Sequence, residues 1–347
     1  MEIHPKFKLN GKGYSTNTLQ DFADKLSISG ESYELSIGLF LKEWLVSSKT
    51  ITVQTSGSTG TPKSIILQKK QMVNSAMATG EFFQLKEGDK ALLCLSAEFI
   101  AGKMMLVRAM VLGLELDCVA PTSEPLKLHA GNYDFCAMVP LQAQQSLKEL
   151  HRIQKLIIGG AQVSYNLRQK LRELNIQCFE TYGMTETITH VAVRQIETTF
   201  FETLPNVKIS TDERGCLVID APSISDEKVL TNDLVNVLDA SKFVWLGRYD
   251  TVINSGGIKL IPEQIEAKLA KVIPQRFFVA AMPDDTLGQK LVLVIESDTV
   301  GEHLMTEILF IPELSRYEIP KEIFDIQQFQ ETKSGKVDRL KTLLKLI

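Results

Sequence analysis

A nine-residue segment rich in glycine and hydroxyl groups is the part of the chain whose residue types could bind phosphate. It consists of Thr55, Ser56, Gly57, Ser58, Thr59, Gly60, Thr61, Pro62 and Lys63. Glycines let backbone N–H groups approach an oxyanion closely, hydroxyls donate to its oxygens, and the lysine balances its charge. The segment therefore predicts a site for the phosphates of a nucleotide, in preference to an ordinary glycine- and serine-rich turn.

This loop differs from a Walker loop in one residue and in its flanks. From Gly57 to Ser64 the sequence follows G-x-x-x-x-G-K-[ST], except that Pro62 replaces the second glycine. Proline has no N–H group and cannot join a nest of amide donors. Ile51 and Val53 alternate with polar residues before the loop, and a short apolar run with β-branched residues follows it. We therefore expect the loop to join two strands, whereas a Walker loop leads into a helix.

Length, charge and cysteine content limit the class of protein. The chain has 347 residues, of which 44% are hydrophobic, so it can bury a large core and is long enough for two domains. A net charge of −4 without basic clusters argues against a nucleic-acid partner, and Lys69 and Lys70 are interpreted as a solvated pair. The five cysteines are far apart in the sequence, which predicts reduced, buried side chains in a cytoplasmic protein. No signal peptide or membrane-spanning run is expected.

Short apolar runs alternate with helical patterns between residues 91 and 181. The predicted strands are 91–95, 116–120, 135–139, 156–158 and 176–179, and the predicted helices are 104–112, 141–150 and 165–174. Strands that are apolar throughout are buried on both faces, which predicts a parallel sheet covered by helices. Ligands bind beyond the carboxyl ends of such strands, where residues 159–161 and 181–186 are expected.

The pattern changes beyond Phe201 to shorter β-rich pieces. We predict strands at 216–220, 228–230, 234–238, 243–246, 277–282 and 291–295, a helix from Pro262 to 271 and a terminal helix at 340–346. A boundary near residues 247–250 divides the chain into domains 1–249 and 250–347. The predicted fold is α/β: a large N-terminal domain with a helix-covered, mostly parallel sheet and a β-rich subdomain, followed by a small α+β domain.

Five motifs, in order, resemble those of the adenylate-forming superfamily, which includes acyl-CoA synthetases, luciferases and peptide-synthetase adenylation domains. They are the loop 55–63, residues 182–186, Asp233, residues 247–250 with Gly256 and Gly257, and residues 332–339. The resemblance covers about residues 51–339. It implies ATP, Mg²⁺ and coenzyme A as cofactors and a small carboxylic acid as substrate. It also implies that an acyl-adenylate and then a thioester form, with the small C-terminal domain moving between the two steps.

The resemblance assigns nucleotide binding to the phosphate loop and to six further positions. The implied residues are Thr55, Ser56, Gly57, Ser58, Thr59, Gly60, Lys63, Gly160, Ala161, Tyr182, Gly183, Asp233 and Arg248. Tyr182 would offer its aromatic face to adenine, and the Asp233 carboxylate would accept hydrogen bonds from ribose hydroxyls that Arg248 also reaches. Considered alone, Asp233 is more typical of a turn.

Catalytic and metal-binding roles fall on three residues. Lys336 would enter from the small domain and bridge the α-phosphate and the acid's carboxylate, although a solvated lysine in a glycine-containing turn fits the local sequence equally well. Thr185 and Glu186 offer oxygen ligands of the kind that Mg²⁺ accepts beside phosphate. The resemblance places the hinge and the loop that faces the CoA-dependent step at Asp250, Ser255, Gly256 and Gly257.

Residues 99–105 and 183–190 look most like the o-succinylbenzoate–CoA ligases of menaquinone biosynthesis. The candidate substrate-binding residues are Phe99, Lys103, Arg108 and His190. Arg108 lies in an otherwise apolar helix, where an unpaired charge is costly, so it predicts a carboxylate partner. That partner is the second carboxylate of an aromatic diacid or, as we favour, a structural Asp or Glu. His190 and Arg194 are alternative anion-binding residues, although for His190 a buried histidine with satisfied hydrogen bonds is favoured.

Several residues depart from the superfamily pattern. Only 54 residues precede the phosphate loop, where the family usually has a longer segment, so part of the acid-pocket wall and of the CoA surface is expected to be missing. Phe99 stands in place of the usual histidine, and Asn232 in place of the glycine before Asp233. An enzyme that loads a carrier-protein thiol and an inactive nucleotide-binding homologue remain as alternatives, and the presence of Lys336 and Glu186 argues against the second.

Overall fold

The computed structural model describes residues 3–54, 64–127, 129–298, 303–331 and 337–346. The predicted phosphate loop at 55–63 and the predicted catalytic Lys336 lie outside the described residues. The helices are α1 (Thr16–Ser29), α2 (Ser32–Leu45), α3 (Lys69–Phe83), α4 (Ile100–Leu112), α5 (Pro140–Gln145), α6 (Tyr165–Arg172), α7 (Pro262–Leu269), α8 (Leu304–Leu309) and α9 (Arg339–Leu343). Short 3₁₀ turns span Leu150–Arg152, Thr185–Thr187 and Tyr249–Thr251.

The strands form a large mixed sheet, a two-stranded hairpin and a smaller C-terminal sheet. In chain order they are β1 (Lys8–Leu9), β2 (Lys12–Gly13), β3 (Thr50–Gln54), β4 (Ser64–Gln68), β5 (Lys90–Leu93), β6 (Glu115–Cys118), β7 (Tyr133–Met138), β8 (Ile153–Ile158), β9 (Gln177–Gly183), β10 (His190–Gln195), β11 (Phe201–Thr203), β12 (Lys208–Thr211), β13 (Cys216–Asp220), β14 (Val229–Val237), β15 (Lys242–Arg248), β16 (Ile253–Ser255), β17 (Ile258–Leu260), β18 (Phe277–Asp284), β19 (Gly288–Glu296) and β20 (Glu322–Ile326).

The centre of the large sheet is parallel, as the apolar runs predict. Its order is β12-β13-β14-β15-β11-β10-β9-β8-β7-β5-β6-β1-β2, and the pairs within β6-β5-β7-β8-β9 are all parallel. Both faces of this region are buried. Leu93, Phe135 and Ile157 belong to the core on one face, and Cys136 and Leu156 to the core on the other. The remaining strands from β10 to β15 pair antiparallel and form the predicted β-rich part.

Several predicted elements differ from the observed ones in their bounds. Strand β9 continues to Gly183, so Thr181 and Tyr182 lie within the strand and not after it. The predicted helix 141–150 ends at Gln145, because the chain then turns through the 3₁₀ segment that leads into β8. The predicted strands 228–230 and 234–238 are one strand, β14, in which residues alternate between exposed and inward positions. Asp233 is therefore a strand residue, and its interpretation as a turn residue is wrong.

The flanks of the phosphate loop are two strands, as predicted. β3 and β4 pair antiparallel, with Gln54 opposite Ser64. The segment that joins them is therefore a strand-to-strand connection, which separates it from the strand-to-helix geometry of a Walker loop.

A second sheet begins after the large one ends. β15 ends at Arg248 and β16 begins at Ile253; the second sheet has the order β17-β16-β19-β18, with β20 parallel to β19. Its own core includes Ile265, Val279 and Leu293. This arrangement matches the predicted α+β part, whereas the division into domains 1–249 and 250–347 stays a prediction. Within the described ranges no helix is long and apolar enough to cross a bilayer.

Lys69 is a buried structural cation, so its interpretation as a solvated residue is wrong. Its side chain is 2% exposed, and Nζ donates to the carbonyl oxygens of Glu43, Trp44 and Val46 at 2.8, 2.8 and 2.9 Å. These carbonyls end α2, where a helix has no N–H groups of its own left to offer them. Burial lowers the pKa of Lys69, and the nearby Glu43 carboxylate opposes that shift. Its neighbour Lys70 is exposed.

Replacing Lys69 with methionine is expected to lower the free energy of unfolding by about 2–4 kcal/mol. The variant keeps the apolar stem but leaves three carbonyl groups without their donor, and each buried unsatisfied group is costly. Urea unfolding measures the change, and Lys70→Met is the matched control, for which we expect a change below about 0.5 kcal/mol. Equal effects of the two substitutions would contradict the capping role.

Candidate functional site

A cavity of about 620 Å³ lies at the carboxyl ends of the parallel strands, where the sequence predicts a ligand site. Leu95 and Val139 line it just after β5 and β7, Gly160 and Ala161 just after β8, and Thr185 and Glu186 just after β9. The structure therefore brings together the two predicted motifs at 159–161 and 181–186.

Two glycines in these motifs are required by the backbone. Gly160 has a φ of +83°, a left-handed conformation that side chains disfavour. At Gly183 a Cβ atom would lie 2.2 Å from the carbonyl oxygen of Thr189, because β9 and β10 approach closely there. Any larger residue at position 183 would force the two strands that carry the site apart.

Asp233 lies at the cavity with both of its oxygens hydrogen-bonded. The Tyr182 hydroxyl donates to Oδ2 at 2.7 Å, and Trp245 Nε1 donates to Oδ1 at 3.1 Å. Arg248 is opposite Asp233 in the β14–β15 register, with Nη1 3.9 Å from Oδ1. Burial, together with the neighbouring Asp233 charge, raises the pKa of Tyr182. The structure thus places three predicted nucleotide-binding residues together and adds Trp245.

The Tyr182 ring is held by two further aromatic residues. Its centroid is 5.3 Å from that of Phe243 and 5.7 Å from that of Phe201, and those two rings stack at 5.4 Å. Sequence reasoning missed Phe201 and Trp245, which also line the cavity. Trp245 lies three residues before Arg248 on β15, a spacing that gives no signal of a shared site because side chains alternate along a strand.

Arg248 also pairs with the predicted hinge residue. Its Nε donates to Asp250 Oδ1 at 3.0 Å and its Nη2 to Oδ2 at 3.3 Å. The hydrogen bond from Arg248 lowers the pKa of Asp250 and raises that of Arg248. Ser255 ends β16, Gly256 and Gly257 form the turn that leads into β17, and none of the three lines the cavity.

Thr185 and Glu186 lie on the 3₁₀ turn that follows β9 and present oxygen atoms at the cavity. In the described part of the chain, the Glu186 carboxylate forms no ion pair, and no group of three or more His, Cys, Asp or Glu side chains could hold a metal. This donor set suits Mg²⁺ bound through one or two protein oxygens and completed by phosphate and water, and it does not suit an all-protein metal cage.

Arg108 is a buried cation without a carboxylate partner in the described part of the chain. It is 1% exposed and lines the cavity. Its Nε donates to Thr79 Oγ1 at 3.3 Å, its Nη2 contacts His190 Nδ1 at 3.4 Å, and its Nη1 lies 3.7 Å from Met105 Sδ. Among the residues that the structure describes, no Asp or Glu lies within ion-pair distance of it, so none of these residues is the structural acid that we favoured. Burial lowers the pKa of Arg108 to about 9, so the group stays cationic at neutral pH.

His190 is a buried residue with hydrogen-bond partners, which agrees with the favoured interpretation. Its Nε2 lies 3.5 Å from Thr79 Oγ1, and its Nδ1 faces Arg108. Burial, with a further contribution from the Arg108 charge, holds its pKa well below the usual range. His190 is therefore neutral and does not attract an anion by charge.

Arg194 shares with Arg168 a carboxylate that sequence reasoning missed. Glu180 Oε2 accepts from both Arg194 and Arg168, and Glu180 Oε1 accepts from the Val163 N–H at 3.1 Å. The Arg194 guanidinium also lies 4.6 Å from the Phe201 ring centroid. Two guanidinium groups share one carboxylate here, so the cluster carries a net positive charge, and Arg194 lines the cavity with an Nε that has no hydrogen-bond partner among the described residues. Arg194 therefore stays a predicted alternative anion-binding residue.

Phe99 and Lys103 do not line the cavity that contains Arg108. Lys103 lines a second cavity of about 460 Å³, where its Nζ is 3.8 Å from Glu43 Oε2 and 5.4 Å from the Phe40 ring centroid. Phe99 precedes α4 and is 53% exposed. The start of α4 separates the two cavities, since Ile100 lines the first and Lys103 the second.

Comparison with known proteins gives matches over most of the chain. The sequence model of the AMP-binding enzyme family matches residues 39–222. A solved structure from Dyadobacter fermentans, described as an acyl-CoA synthetase (AMP-forming)/AMP-acid ligase II-like protein, is 37% identical with a TM-score of 0.63. That match covers 94% of this chain and 98% of the other.

More distant relatives are named 2-succinylbenzoate–CoA ligase. The Listeria monocytogenes protein is 24% identical over 87% of this chain and 71% of its own length, and that of Staphylococcus aureus is 26% identical over 83% and 65%. The chain thus spans about two thirds of the length of these relatives. A Bacillus subtilis o-succinylbenzoate coenzyme A synthetase structure, in complex with ATP and magnesium, has a TM-score of 0.73 at 21% identity over 84% of this chain and 69% of its own, which shows a shared fold.

Proposed function

The chain belongs to the AMP-binding enzyme family, and from that premise we propose that it converts o-succinylbenzoate, ATP and coenzyme A into o-succinylbenzoyl-CoA, AMP and pyrophosphate. Its class of reaction is that of an AMP-forming acid–CoA ligase. The proposal adds the acid, the thiol acceptor and a place in menaquinone biosynthesis in the cytoplasm.

The reaction has two steps. The acid's carboxylate oxygen attacks the α-phosphorus of ATP, the bond to the β-phosphate oxygen breaks, and pyrophosphate leaves. The thiolate of coenzyme A then attacks the acyl carbon, and AMP leaves with the bonding electrons. In the first step Tyr182 and Asp233 hold the nucleoside, and Lys336 stabilises the charge that develops at the α-phosphate. Mg²⁺, held through Glu186 and Thr185, would neutralise phosphate charge.

The observation that carries the choice of acid is the Arg108 cation at the cavity, which has no acidic partner within the described ranges. A buried guanidinium without a counter-charge destabilises the free protein, and a carboxylate that binds beside it recovers that free energy. A diacid such as o-succinylbenzoate supplies two carboxylates, one for activation and one for Arg108. A monoacid such as benzoate leaves Arg108 unpaired, so it should be a weaker substrate.

An acid-dependent ATP–pyrophosphate exchange assay tests this function. The panel contains o-succinylbenzoate, benzoate, a fatty acid and several amino acids, and we expect the highest kcat/KM for o-succinylbenzoate. No exchange with o-succinylbenzoate, together with exchange for another acid, would reject the substrate but retain the reaction class. Thioester formation with coenzyme A, measured beside that with a phosphopantetheinylated carrier protein, decides between the two thiol acceptors.

Replacing Trp245 with phenylalanine is expected to raise the KM for ATP about five- to tenfold and to leave the KM for the acid unchanged. The variant keeps an aromatic ring at the cavity but removes the indole N–H that donates to Asp233. A hydrogen bond to a charged group contributes about 1.5–3 kcal/mol, part of which water can replace in this half-exposed position. Steady-state kinetics with each substrate varied in turn measures the effect. A larger change for the acid than for ATP would contradict the assignment.

A further inference from the structure

We infer that Thr79 and His190 are positioning residues that hold the Arg108 guanidinium ready for the substrate's second carboxylate. The three side chains come from different elements: Thr79 from α3, Arg108 from α4 and His190 from β10. This inference rests on the proposed function, in which Arg108 binds the second carboxylate of the acid.

Thr79 anchors the network to a helix backbone. Its side chain is fully buried, and its Oγ1 lies 2.9 Å from the carbonyl oxygen of Ser75, one turn earlier in α3. A carbonyl only accepts, so the Thr79 hydroxyl proton is committed to Ser75. The lone pairs of Oγ1 are then left for the Nε–H of Arg108 at 3.3 Å and for His190 Nε2 at 3.5 Å.

The tautomer of His190 follows from the same assignment of hydrogen-bond donors and acceptors. Arg108 Nη2 carries only donors, so the Nδ1 that faces it at 3.4 Å must accept. The proton of the neutral imidazole is then on Nε2, where it is donated to Thr79. Each of the four contacts, Thr79 to Ser75, Arg108 to Thr79, Arg108 to His190 and His190 to Thr79, therefore joins one donor to one acceptor. Protonation of His190 would break its contact with Arg108, because an N–H group would face the guanidinium.

The network fixes Arg108 but does not saturate it. A guanidinium has five N–H groups, and the strong acceptors Thr79 and His190 use only two of them, at Nε and Nη2. Nη1 contacts only the weakly accepting Met105 sulfur. The edge formed by Nη1 and Nη2 remains for a carboxylate, which arginine binds best through two parallel hydrogen bonds.

Fixing this side chain before the substrate binds favours affinity. Holding a freely rotating arginine side chain in one orientation costs about 2 kcal/mol of rotamer entropy. In this protein the side chain is already held in the folded state, so the cost does not weaken substrate binding. Thr79 and His190 would therefore act on the binding of the diacid through Arg108, and Thr79 does not itself line the cavity.

Two matched substitutions at Thr79 test the inference. Thr79→Val removes the hydroxyl at nearly constant volume, and Thr79→Ser retains it. We expect Thr79→Val to raise the KM for o-succinylbenzoate about five- to tenfold with kcat changed much less, and Thr79→Ser to stay within about twofold of the wild type. The KM for benzoate should be the same in all three proteins. Equal effects of valine and serine, or equal effects on the two acids, would overturn the positioning role.

His190 offers a second matched pair. His190→Asn keeps an acceptor near the place of Nδ1, and His190→Leu removes it. We expect asparagine to preserve most of the preference for o-succinylbenzoate over benzoate and leucine to lose it. The same loss with both residues would count against His190.

A test without substrate separates this inference from the proposed function. We expect Thr79→Val to lower the midpoint of thermal unfolding in the wild-type protein and to have less than half of that effect when Arg108 is already methionine. An undiminished effect in the Arg108→Met background would show that Thr79 does not act through Arg108. Failure of the wild-type protein to activate o-succinylbenzoate would instead reject the proposed function. That outcome is independent of the unfolding midpoints of the Thr79→Val and Arg108→Met variants.

Discussion

Arg108→Met is expected to lower kcat/KM for o-succinylbenzoate about a hundredfold or more and to change that for benzoate less than about threefold. Truncating one partner of a buried, hydrogen-bonded charge pair costs about 2–5 kcal/mol, and only the diacid supplies the second charge. Pyrophosphate-exchange kinetics with the two acids measures the difference. Arg108→Lys keeps the charge but loses the planar fork, so it should fall between the wild type and methionine.

The same substitution should change the stability of the free protein little. Methionine removes a buried cation that has no carboxylate partner among the described residues, and that gain offsets the loss of the donors to Thr79 and His190. We therefore expect the midpoint of thermal unfolding to change little while activity toward the diacid falls. A lower midpoint together with equal losses for both acids would show that Arg108 is structural.

Lys336→Ala is expected to lower acid-dependent ATP–pyrophosphate exchange about 10²–10³-fold and to spare the reaction of preformed acyl-adenylate with coenzyme A. Losing one preorganised donor to a developing negative charge typically has an effect of about this size. The lysine is needed when the carboxylate approaches the α-phosphate, and that step is complete in the acyl-adenylate.

A neighbouring lysine provides the control for this experiment. Lys333 lies in the same 332–336 segment, and Lys333→Ala removes a charge from it without removing the proposed catalytic group. We expect this variant to retain at least about half of the exchange activity. Equal losses in the two half-reactions of Lys336→Ala, or equal losses in the two variants, would reject the assignment of Lys336.

The parallel sheet and its ligand edge were predictable because they depend on local patterns. Apolar runs such as 135–139 and 156–158 indicate strands buried on both faces, and the ligand edge follows from strand direction. Boundaries were less predictable. Asn232 and Asp233 looked like a break between strands, but an alternating pattern tolerates one inward polar residue when partners such as Tyr182 and Trp245 satisfy it.

The residues that sequence reasoning missed depend on contacts between distant segments. Thr79 is an ordinary helix residue until the fold places it against Arg108, and Glu180 is an ordinary strand residue until Arg168 and Arg194 reach it. The adjacent lysines 69 and 70 likewise predict two surface residues, although Lys69 is buried. In each case the partner lies many residues away, and no local spacing reports it.

The paired oxygens of Asp233 have a consequence for how a nucleoside would bind. A carboxylate has about four lone-pair positions, and the hydrogen bonds from Tyr182 and Trp245 occupy two of them. Ribose hydroxyls can therefore be added at the vacant positions without displacing either donor. The carboxylate would keep both donors on binding, so its orientation would be the same in the free and the nucleotide-bound protein.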